Sequence, residues 1–330
     1  DADGARARGR GYRGDGVVEW GQRHAAMLSR NVREGRCVES RMELIYALQE
    51  AASPTLDRIM LLVTNAGSEL VYVALLVVAY VVVDARAGRS LAIIFLSSMY
   101  LNALLKLMFS TQRPFEIDPT VARSPSAVDT APGHGFPSGH AQGAMTFWGT
   151  AAVFVRRTWF TLTAAVLVAA VGVSRLYLGV HMPIDVIGGM TIGLIVIAVG
   201  VALQRSGMSV SRPVVIALGL LVPLALQLLV PVDDAGVLLG GLAAFIVGPE
   251  LVRHHTGGPL LGRVLLGVIA LGLVFAALMG SSALLSEEVK RSAIGGFVRY
   301  AVIGSVGTVL VPYLGRLTGL TPAPTARPGA

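Results

Sequence analysis

The sequence predicts an all-α fold, a polytopic bundle of transmembrane helices. Three observations carry that expectation. The chain of 330 residues is 54% hydrophobic and 14% charged, against about 25% charged in soluble domains. Its mean hydropathy is +0.67. Its apolar residues are gathered in runs long enough to cross a bilayer, since a spanning helix takes roughly 20 residues for about 30 Å of hydrocarbon.

The elements follow in order. Residues 1–41 are rich in Arg and Gly without apolar periodicity, and are expected to be a basic, disordered segment. They contain no apolar core of a signal peptide. They hold the single cysteine, Cys37, so no intrachain disulfide is expected. Residues 42–63 place Leu44, Ile45, Leu48, Leu56, Ile59 and Met60 at partly helical spacing, broken at Ser53-Pro54. This predicts amphipathic helices lying at the interface. Nine apolar runs then follow, at 64–83, 91–109, 138–155, 159–178, 184–203, 213–230, 235–252, 264–284 and 297–315. Nine crossings are therefore expected. Residues 64–205 form the candidate catalytic unit and 206–315 an addition to it. The tail 316–330, with its prolines, is expected to be disordered. The net charge is +7, and many of the arginines sit in short links between runs, where membrane topology explains them and nucleic acid is not needed as a partner.

Charge inside the runs is the functional signal. An ionised group within a span costs roughly 2.5–3.5 kcal/mol on insertion scales and usually has a task. Lys106 lies near the end of the second run and Arg113 just beyond it. Ser138, Gly139 and His140 open the third run. Arg175 closes the fourth, and His181 and Asp185 flank the start of the fifth. Each alone has an ordinary reading: Lys106 or Arg175 snorkelling to the interface, Asp185 capping a helix. Helix parity brings all of them to one face of one bundle. Three cations and two histidines with one carboxylate suit a highly charged oxyanion. Arginine pairs with phosphate oxygens through a planar fork, and Ser138-Gly139 at a helix start offers free amides. A single carboxylate is too few for a hard-cation site, so no metal and no cofactor is expected. One histidine can attack phosphorus while the other protonates the leaving oxygen. His181 and Asp185, four residues apart, share a helical face, so the carboxylate can orient the imidazole.

These residues resemble the signature of the type 2 phosphatidic acid phosphatase (PAP2) superfamily. The likeness rests on Lys106 with Arg113-Pro114, on Pro137-Ser138-Gly139-His140, and on Ser174-Arg175 with His181 and Asp185. It covers roughly residues 60–205. The resemblance implies that His181 is a nucleophile forming a phosphohistidine, that Asp185 orients it and that His140 is the general acid. Lys106, Arg113, Ser138, Gly139 and Arg175 would hold the phosphate, without metal. It implies a membrane hydrolase of lipid metabolism that acts on a lipid phosphate monoester or pyrophosphate, with the bilayer as its surroundings. Nine runs resemble the glucose-6-phosphatase plan. That plan motivates a second reading, a phosphatase for a soluble phosphate ester such as a sugar phosphate. A third reading, a non-catalytic lipid-binding protein or transporter, is motivated by the added C-terminal runs.

Smaller expectations complete the reading. Tyr177 is expected to anchor at the interface, His134 to be a loop residue, and the glycines of the last four runs to allow close helix packing. Arg86, Arg89, Arg156, Arg157, Arg205, Arg212, Arg253, Arg263 and Arg316 all fall on the face opposite the candidate site. The positive-inside rule then places the site outside the cytoplasm. The arginine-rich residues 1–41 run against that orientation by parity.

Overall fold

A computed structural model describes residues 42–230, 232 and 235–321. Among these, every regular element is helical. Residues 42–49 are helical. The principal helices are α1 (Pro54–Asn65), α2 (Glu69–Val78, continued as a wider turn to Val83), α3 (Ala85–Phe109), α4 (Gly139–Val155), α5 (Thr158–Tyr177), α6 (Pro183–Arg205), α7 (Arg212–Leu229), α8 (Ala235–Leu251), α9 (Leu260–Leu284) and α10 (Ala293–Ser305). The last continues through a wide turn, Val306–Leu310, into α11 (Val311–Leu317).

The chain is thus an all-α membrane bundle, but the expected nine crossings do not follow from its helix lengths. Six helices among the described residues are long and apolar enough to cross, or seven if α1 and the α2 segment, bent by 48°, form one span. Two of the nine runs become the helices α4 and α8, each 17 residues long. The first turn of α4 is also given over to Gly139, His140, Ala141 and Gln142 rather than to a lipid-facing surface. The first run is not one straight rod, because the chain turns at Ala66–Ser68 between α1 and α2. The expected disorder from residue 316 is also corrected. α11 runs to Leu317, and the turn after it returns Thr321, whose amide donates to the Gly315 carbonyl at 3.0 Å. The expected disorder of 1–41 and of 322–330 lies outside the described residues.

Local chemistry sets the helix starts. Ser53, Asp84 and Ser138 each accept an amide of the first turn of α1, α3 and α4, satisfying donors that a helix N-terminus otherwise leaves unpaired. α6 starts with Pro183 at its first position and Asp185 at its third. Asp185 Oδ2 accepts the Met182 amide at 2.9 Å.

Between spans there is no hydrophobic drive to associate, so packing and hydrogen bonds must hold the bundle. Glycine lets backbones touch. A Cβ on Gly189 of α6 would lie 2.6 Å from the Ser138 carbonyl, and one on Gly193 would lie 3.0 Å from that of Gln142. α6 therefore presses its backbone against the start of α4. On the other side, α8 meets α10 through Gly236 and Gly240, where a Cβ would fall 2.7 Å from the Gly296 carbonyl carbon and 2.5 Å from the Phe297 oxygen. The opposite end of the bundle is tied by arginines. Arg89 pairs with Glu250 at 2.8 Å and donates to the Ile246 carbonyl, and Arg263 donates to that of Val82. His254 is buried there, 3.0 Å from the Val81 carbonyl.

Adjacent glycines in α8 should answer differently to one methyl group. Gly240→Ala is expected to cost about 1–3 kcal/mol through overpacking. A Cβ at Gly241 would meet only Leu96, at 3.5 and 3.9 Å. Gly241→Ala should be neutral or stabilising by about 0.4–1 kcal/mol. Thermal unfolding of both variants in one detergent checks the contrast, and equal losses would contradict it.

Candidate active site

The site forms where the ends of α3 and α5 meet the starts of α4 and α6, roofed by residues 110–137. Within that roof Pro114–Ile117, Pro119–Val121 and Pro125–Asp129 are single helical turns. Helix 42–49 and α1 close over it. Met42 and Ile45 pack on Val121 and Met182, and Leu48, Leu56 and Met60 on Tyr177, Leu178 and Val180. Tyr177 is thus corrected from interfacial anchor to buried strut. It is 1% exposed, and its hydroxyl donates to Asp57 Oδ1 at 2.6 Å. Arg123 forks onto the same carboxylate with two bonds of 3.0 Å.

Arg113 organises the roof. It is 1% exposed, and all five of its N–H groups have acceptors. Nε donates to the Gly133 carbonyl, Nη1 to that of Val180, and Nη2 to those of Pro132 and His134, at 2.8 to 3.0 Å. The fifth proton faces His181 Nε2 at 3.0 Å. Lys106 Nζ also donates to the His134 carbonyl. It is the His134 backbone, not its ring, that joins the site.

His181 is fully enclosed, and its protonation can be read from its neighbours. A guanidinium only donates, so Nε2 must accept, which leaves the proton on Nδ1. Nδ1 lies 3.4 Å from Asp185 Oδ2. Burial first, and then the positive charges of Arg113, Arg175 and Lys106, hold this imidazole well below its usual pKa range. His181 is therefore neutral, with a lone pair on Nε2. The turn that delivers it depends on Gly179, at φ +70, where a Cβ would lie 2.1 Å from the Val121 carbonyl. Only glycine fits there.

Arg175 is 0% exposed. Its Nη1 donates to the hydroxyls of Thr64 and Thr130 at 2.6 and 2.7 Å, its Nη2 to the Thr130 carbonyl at 3.1 Å, and its Nε is buried without a partner. No carboxylate among the described residues forms a salt bridge with Lys106, Arg113 or Arg175. Three cations therefore gather here beside one carboxylate, Asp185, which accepts from the Met182 amide and faces His181 instead of pairing with any of them. Among the described residues no three His, Cys, Asp or Glu side chains gather as metal ligands would.

A cavity of about 180 Å³ opens onto this cluster. Of the sequence-predicted residues, Lys106, Arg113, Gly139, His140 and His181 line it. Ser138, Arg175 and Asp185 stand behind that wall. Ser138 caps α4, and its amide donates to the Asp185 carbonyl at 3.0 Å. His140 is half-buried at the wall and next to Gly67. The other half of the cavity is apolar, lined by Tyr72, Val73, Leu76, Phe95, Leu96 and Met99.

Sequence reasoning missed the buried ladder that holds the start of α4. Asn102 Nδ2 donates to Gln142 Oε1 at 2.8 Å and to the Pro137 carbonyl at 3.3 Å. Gln142 Nε2 donates to the Ser98 carbonyl at 2.7 Å, and the Ser98 and Thr146 hydroxyls are 2.9 Å apart. The signal was present as two polar pairs at i, i+4 spacing, Ser98 with Asn102 and Gln142 with Thr146, inside apolar runs.

Residues 87–207 match the family described as the PAP2 superfamily, and residues 232–324 match the one described as PAP2 superfamily phosphatase, transmembrane extension. The undecaprenyl-diphosphatase of Sulfolobus acidocaldarius is 27% identical over 172 residues, covering 50% of this chain and 79% of that protein. Phosphatidylglycerophosphatase B of Bacillus subtilis is 28% identical over 155 residues, covering 43% and 72%. The crystal structure of Aquifex aeolicus LpxE, 25% identical, covers 48% of this chain and 93% of its own with a TM-score of 0.43.

Arg113→Lys tests the organising fork. Lysine keeps the charge but cannot reach four carbonyls and an imidazole at once. Unsatisfied buried acceptors cost about 1–3 kcal/mol each. A fall in both thermal midpoint and activity is expected. An unchanged midpoint would show that the roof does not depend on this side chain.

Proposed function

Since this chain belongs to the PAP2 superfamily and is a membrane phosphatase, we propose that it hydrolyses a lipid phosphate monoester or pyrophosphate through a phosphohistidine on His181. The observation that carries this reading is the excess of positive charge around the His181 lone pair, from Lys106, Arg113 and Arg175 against the single carboxylate Asp185. A buried cation without a counter-charge is costly, and a phosphate dianion is the ligand that would relieve it. Lys106, Arg113 and the amide of Gly139 stand at the cavity wall to receive its oxygens. Arg175, held by Thr64 and Thr130, adds charge from behind.

In the proposed reaction His181 Nε2 attacks phosphorus. An equatorial phosphate oxygen takes over the hydrogen bond from Arg113 Nη1 that Nε2 now accepts. The N–P bond forms as the bond from phosphorus to the leaving oxygen breaks, and His140, taking up a proton from solvent as the phosphate dianion binds, gives that oxygen its proton. Asp185 stabilises the cationic ring that results. Water then attacks phosphorus and yields its proton to His140. The N–P bond breaks, releasing phosphate and restoring both histidines.

Two features favour a lipid over a soluble ester. The site sits at helix ends, level with lipid headgroups, and half of its cavity wall is apolar. The curated relatives named above are both named for lipid substrates. We place the site on the extracytoplasmic face, because Arg89, Arg212 and Arg263 gather at the opposite end of the bundle.

The test is phosphate release without added metal from phosphatidic acid, an isoprenoid diphosphate, a sphingoid phosphate and glucose 6-phosphate. Release from a lipid is expected, with inhibition by vanadate and a fall of about a hundredfold or more in His181→Ala and His140→Ala. Wild-type turnover by His181→Ala would overturn the nucleophile, and release from glucose 6-phosphate alone would overturn the lipid.

A further inference from the structure

The helices after residue 205 have no part in the chemistry above, yet they build a second cavity that joins the first. It measures about 160 Å³ and lies among α2, α3, α8, α9 and α10. Its wall is almost wholly apolar. The two cavities share Glu69, Val73, Leu76, Leu96 and Val237 as lining. The two therefore adjoin across these residues, and together they reach from His181 and Lys106 at one end to Phe275 and Leu278 of α9 and Ile303 of α10 at the other.

Two glycines indicate that this space is kept open. Most glycines of α8 and α10 are required by contact: a Cβ at Gly236, Gly240, Gly248 or Gly304 would fall within 2.7 Å of a neighbour. Gly241 and Gly307 are different. A Cβ at Gly241 would meet only Leu96, at 3.5 Å or beyond, and one at Gly307 only Val274, at 3.7 Å. Neither has the positive φ that would demand glycine. Both line the second cavity. Their missing side chains leave room that helix packing does not require. In a close-packed bundle such room is unusual.

We propose that the C-terminal helices form a chamber for one hydrocarbon chain of the lipid whose phosphate the site cleaves. This rests on the lipid phosphatase reading and deepens it. The occupant follows from the path itself. A chain entering the chamber from the catalytic cavity must be attached to a head held at Lys106 and His140. The wall offers that chain apolar contacts and few polar groups. The added helices would then select substrate by tail length, while residues 106–185 select it by phosphate.

The test compares dipalmitoyl with dibutyryl phosphatidic acid, and farnesyl with isopentenyl diphosphate, on wild type and on Gly241→Leu. Leucine at 241 fills the chamber and touches none of the phosphate-binding or reacting groups. kcat/KM for the long-chain member is expected to fall about tenfold or more, with the short-chain member changed less than about twofold. Equal falls for both chain lengths, or no fall for either, would overturn the chamber. Absence of release from all four by wild type would instead overturn the phosphatase reading. A second measurement uses wild type alone. A lipid phosphonate with a diazirine at the tail end should label residues 274–278 and 300–307. Unlabelled phosphonate should compete, and diacylglycerol should not. Equal competition by diacylglycerol would mean that the chamber takes any membrane chain, and would overturn the proposal.

Discussion

The structure depends on keeping two guanidinium groups buried at the end of a membrane bundle with no salt bridge to either from a carboxylate among the described residues. Arg113 and Arg175 are each nearly inaccessible, and each is held by neutral oxygens, from carbonyls in one case and mainly from threonines in the other. Neutral acceptors take all the N–H groups of Arg113 and those of Arg175 other than Nε that are bonded, and they leave the charge in place. A carboxylate partner would stabilise the resting fold and cancel the attraction for a phosphate. The arrangement trades the cost of buried charge for a cavity that favours a dianion.

Much of the remaining architecture supports that choice. The roof 110–137 exists to supply carbonyls, and helix 42–49 and α1 seal it from above through Gln49, which donates to the Val121 and Tyr177 carbonyls. Below it, the Asn102–Gln142 ladder and the glycines of α6 fix the start of α4, so Gly139 and His140 line the same cavity as His181. Asp185 serves two purposes with one oxygen, capping α6 through the Met182 amide and facing His181 Nδ1. Its long contact to the imidazole, 3.4 Å, can shorten as the ring becomes cationic.

The candidate site was largely legible in the sequence because charge in an apolar run is rare and costly, so Lys106, Arg175 and Asp185 announce themselves. Parity of apolar runs was enough to bring them together. What stayed hidden has physical reasons. The acceptors of Arg113 are backbone carbonyls of Pro132, Gly133 and His134, which carry no side-chain signature. Arg113 and Arg175 read alike in sequence, but one lines the cavity and the other stands behind it, a difference set by tertiary packing. Tyr177 at a helix end suits either an interface or a buried strut, and only the cover of helix 42–49 and α1 decides. Of the nine runs, six or seven are helices that meet the length for a crossing, and the others show what hydropathy does not register, a bend at Ala66–Ser68 and two helices of 17 residues.

The account stands or falls on His181 Nε2 as the atom that takes the phosphoryl group. The direct measurement is a rapid quench into alkali during turnover of a radiolabelled lipid phosphate, followed by peptide mapping. The account predicts a base-stable, acid-labile phosphoryl label on the peptide that carries His181, appearing before phosphate is released and absent from His181→Ala. Phosphate release at the wild-type rate with no label on that peptide would contradict it, since water would then attack the substrate directly.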